Sequence, residues 1–378
     1  MRSRSAVGLR ALFGAALAAL IPAGCGSSGG AKRDGGGTDV GTLPGGDAAT
    51  GGPIVATAGT WTWIPFPDAV CADGSTTGIG VNLGAAGARP LIYLEGGGAC
   101  WSEETCYTEM TAANFVSGYS AATFALESGP TGALATPGSF FDRSATANPF
   151  KDYSFVYVPY CTGDAHAGNN VVRYGTHTAH HVGFKNFAAY LNRLVPTFSG
   201  ADRVILAGSS AGGYGALFNW WQAQQAFGSV RVDMVDDSGT LMPPDVDSEG
   251  SGFEALERVQ WNLAATLPSA CASCATDLSS IFGYYAQALP NNHAALLSYT
   301  QDSVIPIFYG ITTAEFTTGL TELVSKEITP NAGFRSFLDN AAGHELWAMP
   351  ALASAGVTVE TFVTQMVTDD AGWMSVGP

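Results

Sequence analysis

Val204-Ile-Leu-Ala-Gly-Ser-Ser-Ala-Gly-Gly-Tyr-Gly-Ala-Leu217 runs from an apolar, β-branched stretch into a small-residue helix. At the junction stands Gly208-Ser209-Ser210-Ala211-Gly212, a G-x-S-x-G in the strand–turn–helix context that gives this motif its meaning. The glycines let the backbone turn sharply and keep side chains off the serine, leaving the Ser210 hydroxyl at a helix N-terminus. The functional reading is a nucleophile elbow with Ser210 as the attacking group. The alternative is a glycine-rich loop that only packs a helix on a sheet. Whether the chain also supplies a base, an acid and an oxyanion hole decides between them.

On both sides of the elbow, strand-like and helix-like segments alternate, the pattern of a mainly parallel sheet flanked by helices. The strands expected are 90–95, 154–160, 203–208, 230–236, 294–300 and 334–338, and the helices 181–195, 211–227, 252–265, 313–328 and 359–367. Open α/β sheets place their sites at the carboxyl ends of the strands, and polar or glycine-rich turns follow the later strands here. A serine hydroxyl needs a general base, and histidine is poised for that near neutral pH. His344, after the last strand, fits the hydrolase order of serine, acid, histidine. His293 precedes its strand and belongs at the far end of the sheet. The acid should end a strand between Ser210 and His344. Asp302 does so directly, Asp236 and Asp237 are the reserve, and Asp339 is read as a turn cap.

An oxyanion hole needs two backbone N–H groups aimed at the developing charge. The elbow supplies Ala211. The second donor should come from a loop after an early strand, and Leu91-Ile-Tyr-Leu-Glu-Gly96-Gly97-Gly98 runs straight into three glycines. Glu95 then reads as a buried, hydrogen-bonded hinge for that loop.

The 378 residues are 46% hydrophobic and only 13% charged, enough for one large α/β domain with a sizeable core. Arg2, Arg4 and Arg10 precede the apolar run 11–21 and then Ala23-Gly24-Cys25, so residues 1–24 are expected to be a signal peptide. Cys25 looks like a bacterial lipoprotein site, where the cysteine is lipidated; Pro22 departs from the usual aliphatic residue and leaves ordinary cleavage as the alternative. The protein is therefore expected to be exported, as a cell-envelope lipoprotein or in secreted form, touching a membrane only through that anchor. Residues 25–57 are rich in Gly, Ala, Thr and Asp and read as a tether, with one catalytic domain over 58–378. Without residues 1–24 the chain carries 13 Lys+Arg against 32 Asp+Glu, a balance that repels nucleic acid. No cofactor is expected, and a monomer is. Six cysteines remain: Cys71, Cys100, Cys106, Cys161, Cys271 and Cys274. In an exported chain they read as disulfides. Cys100/Cys106 and Cys271/Cys274 are close enough for local loops, which leaves Cys71 with Cys161; zinc at Cys271 and Cys274 is the alternative.

The motifs occur in a telling order: Cys71-Ala-Asp-Gly-Ser-Thr-Thr-Gly, Tyr93-Leu-Glu-Gly-Gly-Gly-Ala-Cys100, Pro159-Tyr-Cys-Thr-Gly-Asp164 and Gly208-Ser-Ser-Ala-Gly-Gly213. His180-His181 with Gly183, Thr300-Gln-Asp-Ser303 and Gly343-His344 continue the set. Together they resemble the pectin acetylesterase/Notum family over roughly residues 60–347. The resemblance implies an α/β-hydrolase fold that removes O-acyl groups, with Ser210 as nucleophile, Asp302 as acid, His344 as base, and oxyanion donors on Gly97 and Ala211. It also implies Cys71–Cys161 and Cys100–Cys106 disulfides, with Cys271–Cys274 a local extra. Relatives commonly carry an aromatic residue beside the glycines, where this chain has Gly98-Ala99 and puts Trp101 after the cysteine. Substrate identity therefore does not transfer.

His177-Thr-Ala-His180-His181 invites a metal reading, but no acidic partner sits at ligand spacing, and it reads better as a polar helix start. Asp164 and His166 are candidates for the site rim, and the Trp61/Trp63 and Trp220/Trp221 pairs for sugar stacking. The expectation is a serine esterase acting on O-acyl, foremost O-acetyl, esters of a saccharide. A Notum-like or lipase-like deacylase of longer chains is the first alternative. A non-catalytic surface binding protein on a hydrolase scaffold is the second.

Overall fold

A computed structural model describes residues 52–246 and 253–377. The expected signal peptide, Cys25 and the tether up to residue 51 lie outside the described residues. The remaining end of that stretch is not free of the domain. Ile54 is buried, and its N–H donates to Thr197 Oγ1 at 2.7 Å, because an isoleucine has apolar surface to hide where its Gly and Ala neighbours have none.

Eight strands form one sheet: Thr62–Val70 (β1), Thr76–Asn82 (β2), Pro90–Leu94 (β3), Ser154–Val158 (β4), Arg203–Ser209 (β5), Arg231–Asp237 (β6), Ala294–Asp302 (β7) and Phe334–Gly343 (β8). Their order across the sheet is β1-β2-β4-β3-β5-β6-β7-β8. β2 runs antiparallel to both β1 and β4, and every other neighbouring pair is parallel. This is the α/β-hydrolase arrangement expected from the sequence.

The inner strands read as unbroken apolar runs because both faces of the sheet are covered. Val204 and Leu206 of β5 enter the same core as Val232 and Met234 of β6, under the helices Gly183–Thr197 (α1) and Ala211–Phe227 (α2). Ile205 and Ala207 point the other way, into a core shared with Val235 and with Phe362 and Val363 of the helix Val359–Val367 (α3). Each fully buried aliphatic side chain contributes roughly 1.5–3 kcal/mol, so period-two alternation along β5 fastens both layers.

The α2 and α3 helices match their expected limits. Others are cut differently. Phe253–Gln260 is helical but stops short of a separate 3₁₀ turn at Leu263–Ala265, and Thr313–Leu323 gives way to a π turn over Val324–Ile328. β8 continues past Leu338 to Gly343 through an irregularity between Asp339 and Ala342. Asp339 therefore pairs with Tyr299 inside the strand, not in a capped turn. His177–His181 is not a helix start either: it pairs with Asn170–Tyr174 as an antiparallel hairpin, and α1 begins only at Gly183. His181 faces inward there, with Nδ1 donating to the Thr162 carbonyl at 2.9 Å and the Tyr174 hydroxyl 3.1 Å from Nε2.

The cysteines form three disulfides, Cys71–Cys161, Cys100–Cys106 and Cys271–Cys274. The last pairing removes both thiolates from the zinc alternative. Trp61 and Trp63 pack on Phe124 and neighbouring rings, and Trp220 is fully buried on Tyr285, so these are core residues.

Candidate active site

β5 ends at Ser209 and α2 starts at Ala211, so Ser210 makes the whole turn by itself, with φ 55° and ψ −122°. A serine in that region is strained by about 1–3 kcal/mol, and such strain persists where the surroundings over-determine it. Two constraints do so here. The Ser210 N–H donates to the Asp237 carbonyl at 2.7 Å. Gly208 and Gly212 are pressed together, since a Cβ on Gly208 would lie 2.0 Å from the Gly212 carbonyl oxygen.

β7 and β8 end side by side, with Gly343 paired to Asp302. His344, the next residue, therefore falls beside the Asp302 carboxylate, and its Nδ1 lies 2.8 Å from Asp302 Oδ2. The other carboxylate oxygen accepts the Val304 and Ile305 amides, each at 2.8 Å. Asp302 is thus fully buried and locked from both sides. Burial pulls the His344 pKa down, but the Asp302 hydrogen bond and the charges of Asp302, Glu345 and Asp237 outweigh it, and the net shift is upward. Its Nε2 is buried and has no hydrogen-bond partner. Ser210 and His344 are brought to one site without that bond being closed, as is common before substrate tightens a catalytic constellation.

The glycine loop leaves β3 against the elbow. A Cβ on Gly96 would stand 3.1 Å from Ser210 Cβ. Gly97 has φ 144°, and a Cβ there would meet Ala113 at 2.7 Å and Tyr160 at 3.0 Å, so no larger residue fits. The Gly97 and Ala211 amides donate to no protein acceptor among the described residues. Glu95 anchors the loop as expected. Its carboxylate accepts the Tyr160 N–H at 2.8 Å and its carbonyl accepts His166 Nε2–H at 2.8 Å. Burial pushes the His166 pKa down to about 4, so the ring is neutral and holds that tautomer.

Asp164 and His166 do not reach the rim; both are buried behind the loop. Asp164 accepts the Thr162 hydroxyl and the Gly183, His166 and Gly168 amides, tying the oxyanion side to the start of α1. Burial raises its pKa to about 6, against those hydrogen bonds.

The reserve acids take other work. Asp237 accepts the Ser209 hydroxyl at 2.8 Å and the Leu346 and Trp347 amides at 2.8 and 2.9 Å. It therefore fastens the loop after His344 to the elbow without touching the imidazole nitrogens. Asp236 accepts the Gly239 amide at 2.8 Å, and burial lifts its pKa to about 8. His293 lies at the opposite end of the sheet, 4.8 Å from the Trp373 ring. No group of three His, Cys, Asp or Glu side chains among the described residues is arranged to hold a metal.

Beside Ser210 and Ala211 lies a small pocket walled by Gly98, Ala99, Ala165, Tyr214, Ile305 and Phe308, with Glu257 also contributing. It leaves about 20 Å³ for the centre of a water-sized sphere. A single water needs roughly 10–15 Å³ on that measure. A methyl group fits and an extended alkyl chain does not. Nothing in the sequence gave the pocket's size, because its walls come from five separate segments.

A family model described as Pectinacetylesterase matches residues 62–304, which spans every element above except β8 and the segments after it, His344 included. Among curated proteins, the chain is 33% identical over 151 residues to palmitoleoyl-protein carboxylesterase notum2 of Xenopus laevis, covering 39% of this chain and 29% of that one. It is 28% identical over 188 residues to palmitoleoyl-protein carboxylesterase NOTUM of Mus musculus, covering 46% of this chain and 34% of the relative. The chain thus spans about a third of the length of the curated relatives it matches.

Proposed function

The chain belongs to the pectinacetylesterase family, and on that premise we propose that it is a serine carboxylic ester hydrolase that removes O-acetyl groups from a saccharide. Ser210 Oγ attacks the ester carbonyl while His344 Nε2 takes its proton. Asp302 holds the imidazole by Nδ1 and stabilises its charged form. The tetrahedral oxyanion sits on the Gly97 and Ala211 amides, where α2 adds the positive end of its dipole. His344 returns the proton to the departing alcohol. Water then repeats the cycle on the acyl-enzyme, with His344 again as base.

The small pocket beside Ser210 is the observation that carries the acetyl reading. It stands against the longer-chain alternative, although the curated relatives act, by their names, on a palmitoleoyl group. A series of 4-nitrophenyl esters tests it. The kcat/KM should be highest for acetate and fall steeply from butyrate onward. A maximum at octanoate or longer would replace the acetyl reading with a lipase-like one. An exported setting agrees with the three disulfides, and no helix among the described residues is long and apolar enough to cross a membrane. The signal peptide and lipidation at Cys25 remain part of the proposal. Release of a labelled acyl-modified N-terminus from cells grown on a palmitate analogue tests the anchor, and a C25A variant should lose the label.

A further inference from the structure

Glu345 follows the base directly and has no part in the reaction sequence above. Its backbone is left-handed, with φ 64°, a conformation costly for a glutamate and found where the surroundings enforce it. The Glu345 N–H donates to Ser238 Oγ at 3.2 Å, which fixes the turn. Its carboxyl group accepts no hydrogen bond among the described residues, although it is largely buried. Partly buried carboxylates without donors are rare, because each such group forfeits its hydration.

The position of this carboxyl group is specific. Glu345 Oε1 and Ser210 Cβ both lie about 3 Å from the point where a Gly96 Cβ would stand, at 3.0 and 3.1 Å. Glu345 is not among the residues walling the acyl pocket, which opens from Ser210 towards Gly98, Tyr214 and Phe308. It stands with His344, the group that protonates the departing alcohol. The carboxyl therefore borders the leaving-group side of the nucleophile. The charged and titratable groups facing it are His344 and Asp302 at the ends of β8 and β7, Asp237 at the end of β6, and Tyr93 and Glu95 from β3 and its loop. Burial raises its pKa, Asp237 and Asp302 push the same way, and His344 opposes them. A donor from the substrate is what this oxygen lacks.

We propose that the Glu345 carboxylate is a specificity group on the leaving-alcohol side, accepting a hydrogen bond from a free hydroxyl next to the ester. The site then prefers O-acetyl groups on vicinal diols, as saccharides carry them, over esters of simple alcohols. This inference rests on the saccharide reading above and names what recognises the sugar.

A substrate-by-variant cycle tests it. The substrates are a methyl glycoside carrying one O-acetyl group beside a free hydroxyl, and the same compound with that hydroxyl O-methylated. The enzymes are the wild type and E345Q, with 4-nitrophenyl acetate turnover verifying that each preparation is folded. Methylation should lower wild-type kcat/KM by about tenfold or more, the size of a hydrogen bond to a charged acceptor. In E345Q the same methylation should change kcat/KM by less than about threefold. Equal losses in both enzymes would overturn the proposal while leaving the saccharide reading in place. A wild type inert on both glycosides yet active on the aryl ester would overturn the saccharide reading and this inference with it.

Discussion

His344 is pulled in two directions, and the winning one sets the pH dependence. The imidazole must be neutral to take the Ser210 proton, and its pKa lies above the ordinary histidine value because of Asp302, Glu345 and Asp237. The acid limb of kcat/KM for 4-nitrophenyl acetate is therefore expected above pH 6.5, the ordinary histidine value. D302N removes the dominant stabilising partner, so that limb should move to lower pH while kcat falls on the order of 10⁴-fold. An unmoved limb in D302N would detach Asp302 from the imidazole. Asp237 offers a contrast at the same scale. D237N should lower kcat less than D302N does, because it loosens the Leu346 and Trp347 amides and not Nδ1. Equal losses in the two variants would mean that the acid had been assigned to the wrong strand.

At the scale of elements, the elbow depends on backbone contact between β5, β3 and α2. A Cβ on Gly212 would stand 2.0 Å from the Leu94 carbonyl oxygen, which cannot swing away as a side chain could. G212A should destabilise the fold by about 1–3 kcal/mol, read as a lowered midpoint in urea, and it should cut activity more than stability by displacing Ser210. Much of this was legible before any coordinates. The β3, β5, β6 and β7 runs are continuous and apolar because parallel central strands are buried on both faces, so they stand out in the chain. β1 was not legible: Thr62–Val70 carries Pro65 and Pro67, which only an edge strand tolerates, and it lies at the edge. The Asn170–His181 hairpin escaped for another reason. Its strands pair only with each other, so its polar residues show no buried period. Asp237 and Asp302 both end strands between Ser210 and His344, and spacing alone could not rank them. The register of β7 against β8 does. Glu345 had no signal beyond its place after His344, since a left-handed glutamate leaves no trace in composition.

For the whole molecule, charge and covalent links matter most. The chain carries a formal charge of −16, so an acetylated polyanion should be deacetylated faster as ionic strength rises, whereas a neutral acetylated polymer should show little change. Opposite salt responses would point to a local basic track that binds polymer. The Cys71–Cys161 disulfide closes a loop with a sequence separation of 90 and joins the end of β1 to the loop after β4. Replacing both cysteines by alanine should cost about 2–5 kcal/mol, measured as a lowered Tm. The central claim is that one serine, Ser210, is the nucleophile of this fold, and covalent labelling of the intact protein tests it most directly. Incubation with a fluorophosphonate should add a single adduct by intact mass, located on Ser210 by peptide mapping and absent from a folded S210A. A wild type that stays unlabelled while folded, or an adduct that persists in S210A, would contradict the account.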